Sequence, residues 1–218
     1  MVEVSTSGSH KYLGRKLPGD LLIRSATELS ARVQSAWSKF HKHRQELTDK
    51  HVSVCSRLKL FQSVVTPSAL FGLAACSLTS QQVEKLDAVQ RRMLRSLVGW
   101  TRVEGEDWAV TMRRMRDKVN KALAIYPVAP WSKQLAKQVY RYSHKIASHP
   151  ESWPHLVARW HPHDVEAARR SRGRPRLRWD DLLDKFSMAT FGRPWLEAAG
   201  EQSEWLQKEN DFVNFIQS

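Results

Sequence analysis

The chain has 218 residues, of which 41% are hydrophobic and 26% are charged, a composition typical of soluble globular proteins and not of disordered chains. Thirty-five Lys and Arg against twenty-two Asp and Glu give a formal net charge of +13, so a polyanion, most commonly nucleic acid, is the expected partner. The two cysteines, Cys55 and Cys76, exclude a disulfide-framed scaffold and a four-cysteine zinc site.

The N-terminal third is predicted to contain one short strand and two helices. The strand signal lies around Tyr12 and Leu13. A first helix is expected to start near Asp20, because one helical face then carries Leu22, Ala26, Leu29, Val33, Trp37 and Phe40. A second helix is expected to stop before Pro67, whose ring removes a backbone donor and clashes with the preceding turn.

Three further amphipathic helices follow. Thr79 and Gln82 have the spacing of a capping box, and Gly99 suits the C-terminal stop of the helix that this box starts. Residues 107–125 repeat the helical pattern. A fifth helix between Pro130 and His149 separates a basic face from an apolar face made of Leu135, Val139, Tyr142 and Ile146.

Composition changes near residue 150. Prolines then break the chain into short pieces, and residues 169–178 hold six arginines. We therefore predict an entry segment over 1–19, a helical bundle over 20–149 and a basic segment with short helices over 150–218. The fold class is mostly α: a multi-helix bundle with a short N-terminal strand and a Pro-broken helical C-terminal segment.

Basic side chains concentrate on the predicted third, fourth and fifth helices. Lys and Arg on helix faces can neutralise phosphates without reading sequence, although a solvated charged face is the ordinary alternative. The candidate phosphate contacts on these helices are Arg91, Arg92, Arg95, Arg113, Arg114, Lys133, Lys137, Arg141 and Lys145.

A separate basic tract runs from Gly173 to Trp179. Its glycine and proline keep the arginines off a regular helix, so their guanidinium groups can follow a phosphate track, with the exposed ring of Trp179 as a stacking surface. A disordered basic tail or a localisation signal is the alternative. The candidate contacts in and beside the tract are Arg172, Arg174, Arg176, Arg178 and Trp179.

The acidic pair after this tract does not indicate catalysis. Asp180 and Asp181 precede an apolar helical run, where capping and the helix dipole explain them. A two-metal transferase site needs further acids on a neighbouring strand, and no strand pattern flanks the pair. The histidines lack the spacing of metal ligands. We expect no catalytic residue, metal or cofactor in this chain.

The order of the motifs carries a family resemblance. In chain order they are Lys11-Tyr12-Leu13-Gly14, the long helix with Arg32 and Phe40, Pro67-Ser68-Ala69-Leu70-Phe71-Gly72, Leu86-Asp87-Ala88-Val89-Gln90 and Leu94-Arg95-Ser96-Leu97-Val98-Gly99. This succession resembles the region downstream of the catalytic palm in reverse transcriptases of non-LTR (LINE-type) retrotransposons. The tract at Gly173–Asp181, followed by Trp195, Ala198 and Trp205, looks like the C-terminal part of such reading frames.

The resemblance implies a role for each of two segments of the chain. Tyr12, Leu13 and Gly14 match the strand near the primer grip, and residues 20–99 match the thumb, which packs against the template–primer duplex. The family's catalytic aspartates and their Mg²⁺ belong to a palm expected before residue 1, and its Cys-Cys-His-Cys knuckle is missing. The chain is therefore expected to be a piece that keeps the nucleic-acid grip without the chemistry.

These observations favour a nucleic-acid-binding fragment that contacts RNA, DNA or a hybrid duplex through phosphates. Two alternatives stay open: a helical module that binds an acidic protein, and a retrotransposon remnant without function. The polar start of the chain lacks a secretory pattern, and no apolar run approaches the ~18 residues of a membrane span. We expect an intracellular, soluble protein, nuclear or cytoplasmic, without a membrane partner and of undetermined oligomeric state.

Overall fold

A computed structural model of the chain describes residues 9–20, 23–159 and 178–216. The described part is mostly α, as predicted. Its helices are α1 (Arg24–Lys42), α2 (Arg44–Thr48), α3 (Val54–Leu60), α4 (Thr66–Leu70), α5 (Ser80–Leu97), α6 (Trp108–Ile125), α7 (Trp131–Ala147), α8 (Trp153–Arg159), α9 (Asp181–Phe191), α10 (Trp195–Ala198), α11 (Gln202–Gln207) and α12 (Glu209–Phe215).

The N-terminal strand is half of a hairpin. β1 (Ser9–Tyr12) pairs antiparallel with β2 (Arg15–Pro18), with Tyr12 opposite Arg15. Leu13 and Gly14 form the turn with φ of 46° and 78°, the left-handed geometry that two-residue hairpin turns require. The strand predicted around Tyr12 and Leu13 therefore ends one residue earlier, and β2 was not predicted.

The first helix starts later than expected, at Arg24 instead of near Asp20. Its buried face is also rotated from the predicted stripe, because Ala26 is exposed and Val33 and Trp37 are half-buried. The buried residues of α1 are Glu28, Leu29, Ala31, Arg32, Ala36 and Phe40.

The helix containing Pro67 does not stop at the proline, contrary to prediction. A π-helical turn at Phe61–Val65 joins α3 to α4, and the Thr66 N–H donates to the Phe61 carbonyl. The wider turn shifts the hydrogen-bond register, so the chain stays helical although Pro67 provides no donor. By length and composition alone Val54–Ala75 could cross a membrane, but Leu58, Phe61 and Val65 are fully buried. The structure is compatible with a soluble protein.

The predicted signals that bound α5 are confirmed. Thr79 Oγ1 accepts from the Gln82 N–H, and Gln82 Oε1 accepts from the Thr79 N–H, which completes the capping box. Gly99 follows the end of the helix with a φ of 85°, a left-handed conformation that glycine adopts without a Cβ clash. α6 and α7 also lie where they were predicted.

Packing divides the chain into two compact units at a different place from composition. The first unit comprises residues 1–73 and 78–134, and the second comprises 74–77 and 135–218. The division falls inside α7, about one turn after its start, and not near residue 150. The reason is that Tyr140 and Ile146 of α7 belong to the core of the second unit.

Each unit has its own aromatic centre. In the first, the rings of Phe61 and Trp131 are stacked with centroids 6.0 Å apart, and Trp131 Nε1 donates to Thr66 Oγ1 at 3.0 Å. In the second, Tyr140 stacks on Trp205 at 4.4 Å, and its hydroxyl donates to the Trp205 carbonyl at 2.7 Å. Burial and the charges of Asp211 and Glu209 raise the pKa of Tyr140. It therefore stays a neutral donor.

Candidate nucleic-acid interface

A groove between α5 and α6 collects four arginines in the first unit. Arg91 and Arg95 are four residues apart on α5, and Arg113 and Arg116 are three apart on α6, spacings that place each pair on one helical face. All four line a cavity of about 640 Å³. Its apolar lining consists of Leu94, Ala109, Met112, Val119, Leu123, Val128 and Pro130.

The positive charge of the groove is not neutralised within the described residues. Over 9–20, 23–159 and 178–216, no carboxylate lies within 4 Å of a guanidinium nitrogen of these four arginines. Asp87 also lines the cavity, but its carboxylate accepts from the Ser132 N–H at 2.8 Å and from the Ser132 hydroxyl at 2.6 Å. The groove therefore presents unpaired guanidinium groups.

The environment of Arg95 reports this accumulation of charge. Burial lowers the pKa of Arg95, and the charges of Arg91 and Arg92 lower it further. Arginine nevertheless stays protonated in proteins, so the positive charges of Arg91, Arg92 and Arg95 remain close together. An anion bound there would be stabilised by several forked donors.

Arg92 and Arg114, predicted alongside the groove arginines, have other partners. The guanidinium of Arg92 lies 5.5 Å from the ring centroid of Trp37, a cation–π contact. Arg114 donates to Glu106 through Nε at 3.0 Å and Nη2 at 2.7 Å, and to the Thr101 carbonyl at 2.9 Å. The structure thus separates two of the five predicted arginines on α5 and α6 from the groove. It adds Arg116, which its spacing from Arg113 would have indicated.

Two of the four predicted cations of α7 are paired with an acid of the second unit. Arg141 donates to Glu209 through Nε at 2.5 Å and Nη2 at 3.1 Å, and Lys137 Nζ lies 3.7 Å from the same carboxylate. Lys133 and Lys145 have no carboxylate within 4 Å in the part of the chain that the structure describes. The basic face of α7 is therefore partly neutralised internally.

The C-terminal tract is described only from Arg178 onward, and Arg172, Arg174 and Arg176 lie outside the described residues. Arg178 is exposed, and its backbone N–H donates to Asp181 Oδ2 at 2.7 Å. Trp179 is half-buried: its indole N–H donates to the Ala74 carbonyl at 2.6 Å, and its ring packs edge-to-face between two aromatic rings. The expectation that Trp179 is an exposed stacking surface is wrong, because this packing and the hydrogen bond hold the ring.

The acidic pair lies at the start of α9, as predicted, but its carboxylates do not cap the helix. Asp180 Oδ2 accepts from the indole N–H of Trp195 at 3.4 Å, and Asp181 accepts from Arg178. Burial raises the pKa of Asp184 one turn later, and the charges of Asp180 and Asp181 raise it further. Asp180, Asp181 and Asp184 thus accept hydrogen bonds from other residues of the second unit.

Three of the motifs that carry the family resemblance meet in the first unit. The Gly14 carbonyl, in the predicted primer-grip segment Tyr12 to Gly14, accepts a hydrogen bond from Arg32 Nη2. Arg32 pairs with buried Glu28 at 3.0 Å, and its guanidinium lies 5.2 Å from the ring centroid of Phe71. Segments separated by up to some sixty residues thus form one junction between the hairpin, α1 and α4.

The fold and the groove define a basic, mostly helical protein with an unpaired arginine cluster. The chain is similar to an uncharacterized transposon-derived protein of Caenorhabditis elegans, with 25% identity over 205 residues that cover 89% of this chain and 67% of that protein. This similarity supports a transposon origin. No protein-family model and no solved structure matches the chain.

Proposed function

We propose that this chain is the nucleic-acid-binding part of a LINE-type reverse transcriptase, which grips the phosphate backbone of a template–primer duplex or of RNA. The arginine groove carries the proposal. It holds four guanidinium groups without carboxylate partners among the described residues, and its α5 wall lies within residues 20–99, which resemble the thumb of that family. The similarity to a transposon-derived protein supports the transposon origin that the proposal requires.

The chemistry of the groove favours a polyanion over a single acidic ligand. Arg91 and Arg95 on one wall and Arg113 and Arg116 on the other can each hold a different phosphate of one strand, because guanidinium forks bind phosphate oxygens in pairs. The formal charge of +13 adds long-range attraction. Such contacts fix a backbone without reading its sequence.

The proposal concerns binding and not polymerisation. Asp180 and Asp181 are engaged by Trp195 and Arg178, so this pair is not arranged as a two-metal site, which holds its ions about 4 Å apart. We expect duplex or RNA binding without polymerase activity from this chain alone.

The test is fluorescence anisotropy with a labelled RNA–DNA duplex over a range of salt concentrations. For the unmodified chain, the logarithm of affinity should fall by about 0.9 per phosphate contact for each unit of log salt. A variant with Arg91→Gln, Arg95→Gln, Arg113→Gln and Arg116→Gln should bind at least about 100-fold more weakly at ~50 mM salt, because charge-assisted hydrogen bonds are lost.

A charge-matched control separates the groove from the net charge. The control replaces four exposed lysines of the first unit outside the groove: Lys16→Gln, Lys39→Gln, Lys42→Gln and Lys50→Gln. It should keep most of the affinity. Equal losses in the two variants would assign binding to net charge alone, and no binding by the unmodified chain at ~50 mM salt would reject the proposed function. Heparin-sensitive binding to an acidic protein without binding to duplex would favour the interaction module.

A further inference from the structure

Two exposed tryptophans contact each other at the connection between α5 and α6: Trp100 lies in the loop, and Trp108 is the first residue of α6. The ring centroids of Trp100 and Trp108 are 5.9 Å apart, and the residues are 40% and 58% exposed. Val103 in the same loop is 54% exposed. Large apolar side chains grouped on a surface typically mark a binding site, whereas single ones do not.

Side chains of α6 hold this loop in place. Arg114 donates to Thr101 and Glu106, the Thr111 hydroxyl donates to Glu106 at 2.7 Å, and Lys118 Nζ donates to the Gly99 carbonyl at 3.1 Å. Arg114 and Thr111 lower the pKa of Glu106 to about 2, so this carboxylate stays ionised at neutral pH. The two rings are therefore exposed on a backbone fixed at several points, which lowers the entropy lost on binding.

The tryptophan pair lies at one end of the arginine groove. Trp108 begins α6 and precedes Ala109, which lines the groove. Arg113 follows five residues later, about 7.5 Å along the helix axis, which corresponds to roughly two phosphate steps of a stacked strand. On the other wall, Trp100 follows Arg95 by five residues. The tryptophan pair is thus next to the groove in the chain, because Trp108 directly precedes the groove-lining Ala109.

We infer that Trp100 and Trp108 stack on unpaired bases of a strand whose phosphates lie in the arginine groove. The preferred ligand is then a duplex with a single-stranded extension, since the bases inside a blunt duplex already stack on one another and only unpaired bases offer free faces. Aromatic stacking accepts any base, which suits a groove that binds phosphates without reading sequence. This inference rests on the proposed function and adds the class of nucleic acid that the site takes.

The experiment compares three ligands that share one duplex: a blunt end, a five-nucleotide extension and the same extension built from abasic sites. The abasic extension carries the same phosphates without bases, so its difference from the normal extension measures base contacts alone. The unmodified chain should prefer the extension with bases by roughly 10-fold over the abasic one. Intrinsic tryptophan fluorescence should fall when the base-containing extension binds.

Variants assign the preference to the two rings. Trp100→Ala with Trp108→Ala should remove the preference while blunt-duplex affinity and salt dependence stay within about twofold, whereas Trp100→Phe with Trp108→Phe should retain most of it. Trp153→Ala removes an equally large exposed ring outside the loop and should leave the preference intact. Circular dichroism of each variant confirms that it is folded.

The outcomes distinguish the two proposals. Equal affinity for the normal and abasic extensions, with binding that still depends on the groove arginines, would overturn the stacking inference and leave the proposed function standing. Absence of arginine-dependent duplex binding would overturn both. A dimer in sedimentation analysis that dissociates in the double alanine variant would show that the tryptophans form a surface between copies, and this also overturns the inference.

Discussion

The cations of α5 and α6 differ from those of α7 in what surrounds them. On α5 and α6, Arg91, Arg95, Arg113 and Arg116 line one groove. Among the described residues its only lining acid is Asp87, which is already bonded to Ser132. On α7, Arg141 and Lys137 share Glu209. In the sequence, all of these cations lie on predicted basic helix faces. The position of the acids, which packing decides, separates a surface that can hold phosphates from one that helps to stabilise the fold.

The placement of Glu209 explains the second case. It lies in the first turn of α12, where a carboxylate also interacts favourably with the helix dipole, and it receives a forked pair of hydrogen bonds from Arg141. Asp87 in the first unit instead accepts both donors of Ser132 at the start of α7. Glu209 therefore neutralises an arginine, whereas Asp87 is hydrogen-bonded to Ser132 instead.

The largest expected effect is a loss of folding stability in the second unit. Tyr140→Ala should destabilise the chain by about 3–5 kcal/mol, because it removes a fully buried ring stacked on Trp205 and leaves a cavity. Tyr140→Phe, which removes only the hydroxyl bonded to the Trp205 carbonyl, should cost about 1 kcal/mol. Hydrogen exchange should show lost protection in α9 to α12 and retained protection in α5 and α6. Equal loss in both regions would contradict the division into two units.

A smaller effect is expected inside the first unit. Gln90 is buried, donates to the Ala129 carbonyl at 3.0 Å and accepts from the Trp131 N–H at 2.9 Å. Gln90→Ala should destabilise by about 1–3 kcal/mol because it leaves the buried Trp131 N–H unpaired, while the Ala129 carbonyl still accepts from Gln134 Nε2. Gln81→Ala, at an exposed position of the same helix, serves as the control in urea denaturation. Equal free energies of unfolding for the two variants would show that the buried amide of Gln90 does not stabilise the first unit.

The ion pair of α7 should contribute less again. Arg141→Gln is expected to cost about 0.5–1 kcal/mol, since the Arg141 side chain is largely exposed to solvent while Glu209 is mostly buried. Duplex affinity should stay within about twofold, because a guanidinium bonded to Glu209 is not free for phosphate. A double-mutant cycle with Glu209→Gln isolates the pair. A large loss of duplex binding in Arg141→Gln would mean that the charge contacts nucleic acid.

The smallest effect concerns pH and the tryptophan loop. The pKa of Glu106 is lowered from 4.5 to about 2 by Arg114 and Thr111, so the stabilisation it gives is fully present above 4.5 and is lost as pH falls through about 2. The indole NMR signals of Trp100 and Trp108 should therefore keep their shifts from pH 7 to pH 4. Glu106→Gln should move them at pH 7, whereas Glu104→Gln, at an exposed neighbour, should not. Signals that move near pH 4.5 in the unmodified chain would contradict the arrangement.

Local signals predicted much of the fold. The Thr79 capping box, the Gly99 stop and the bounds of α6 and α7 depend on residues close in sequence, and the structure confirms them. The stop predicted at Pro67 was wrong because a π turn shifts the hydrogen-bond register before the proline, and nothing in the sequence indicates that turn. Tyr140 was not in the predicted apolar stripe of α7, although the rings of Phe186 and Trp205 pack against it. A helical wheel does not show these partners, because they come from other helices.

The candidate site was predictable only as a region. Helical spacing placed Arg91, Arg95 and Arg113 on basic faces, but it gave Arg92 and Arg114 the same role as the groove arginines. The partners that distinguish them are Trp37, on α1, and Glu106, before α6, and helical spacing does not show such neighbours. The exposed pair at Trp100 and Trp108 was missed for a related reason, since most tryptophans are core residues and composition favoured Trp179.

The most direct measurement compares the salt dependence of duplex binding in two doubly substituted chains. Arg91→Gln with Arg113→Gln and Lys137→Gln with Arg141→Gln each remove two positive charges, the first pair from the groove and the second from the face paired with Glu209. Phosphate contact in the groove predicts that the first variant lowers the slope of log affinity against log salt by about 1.8, while the second leaves it unchanged. Equal slopes in the two variants, whether both reduced or both unchanged, would contradict the assignment of phosphate binding to the groove.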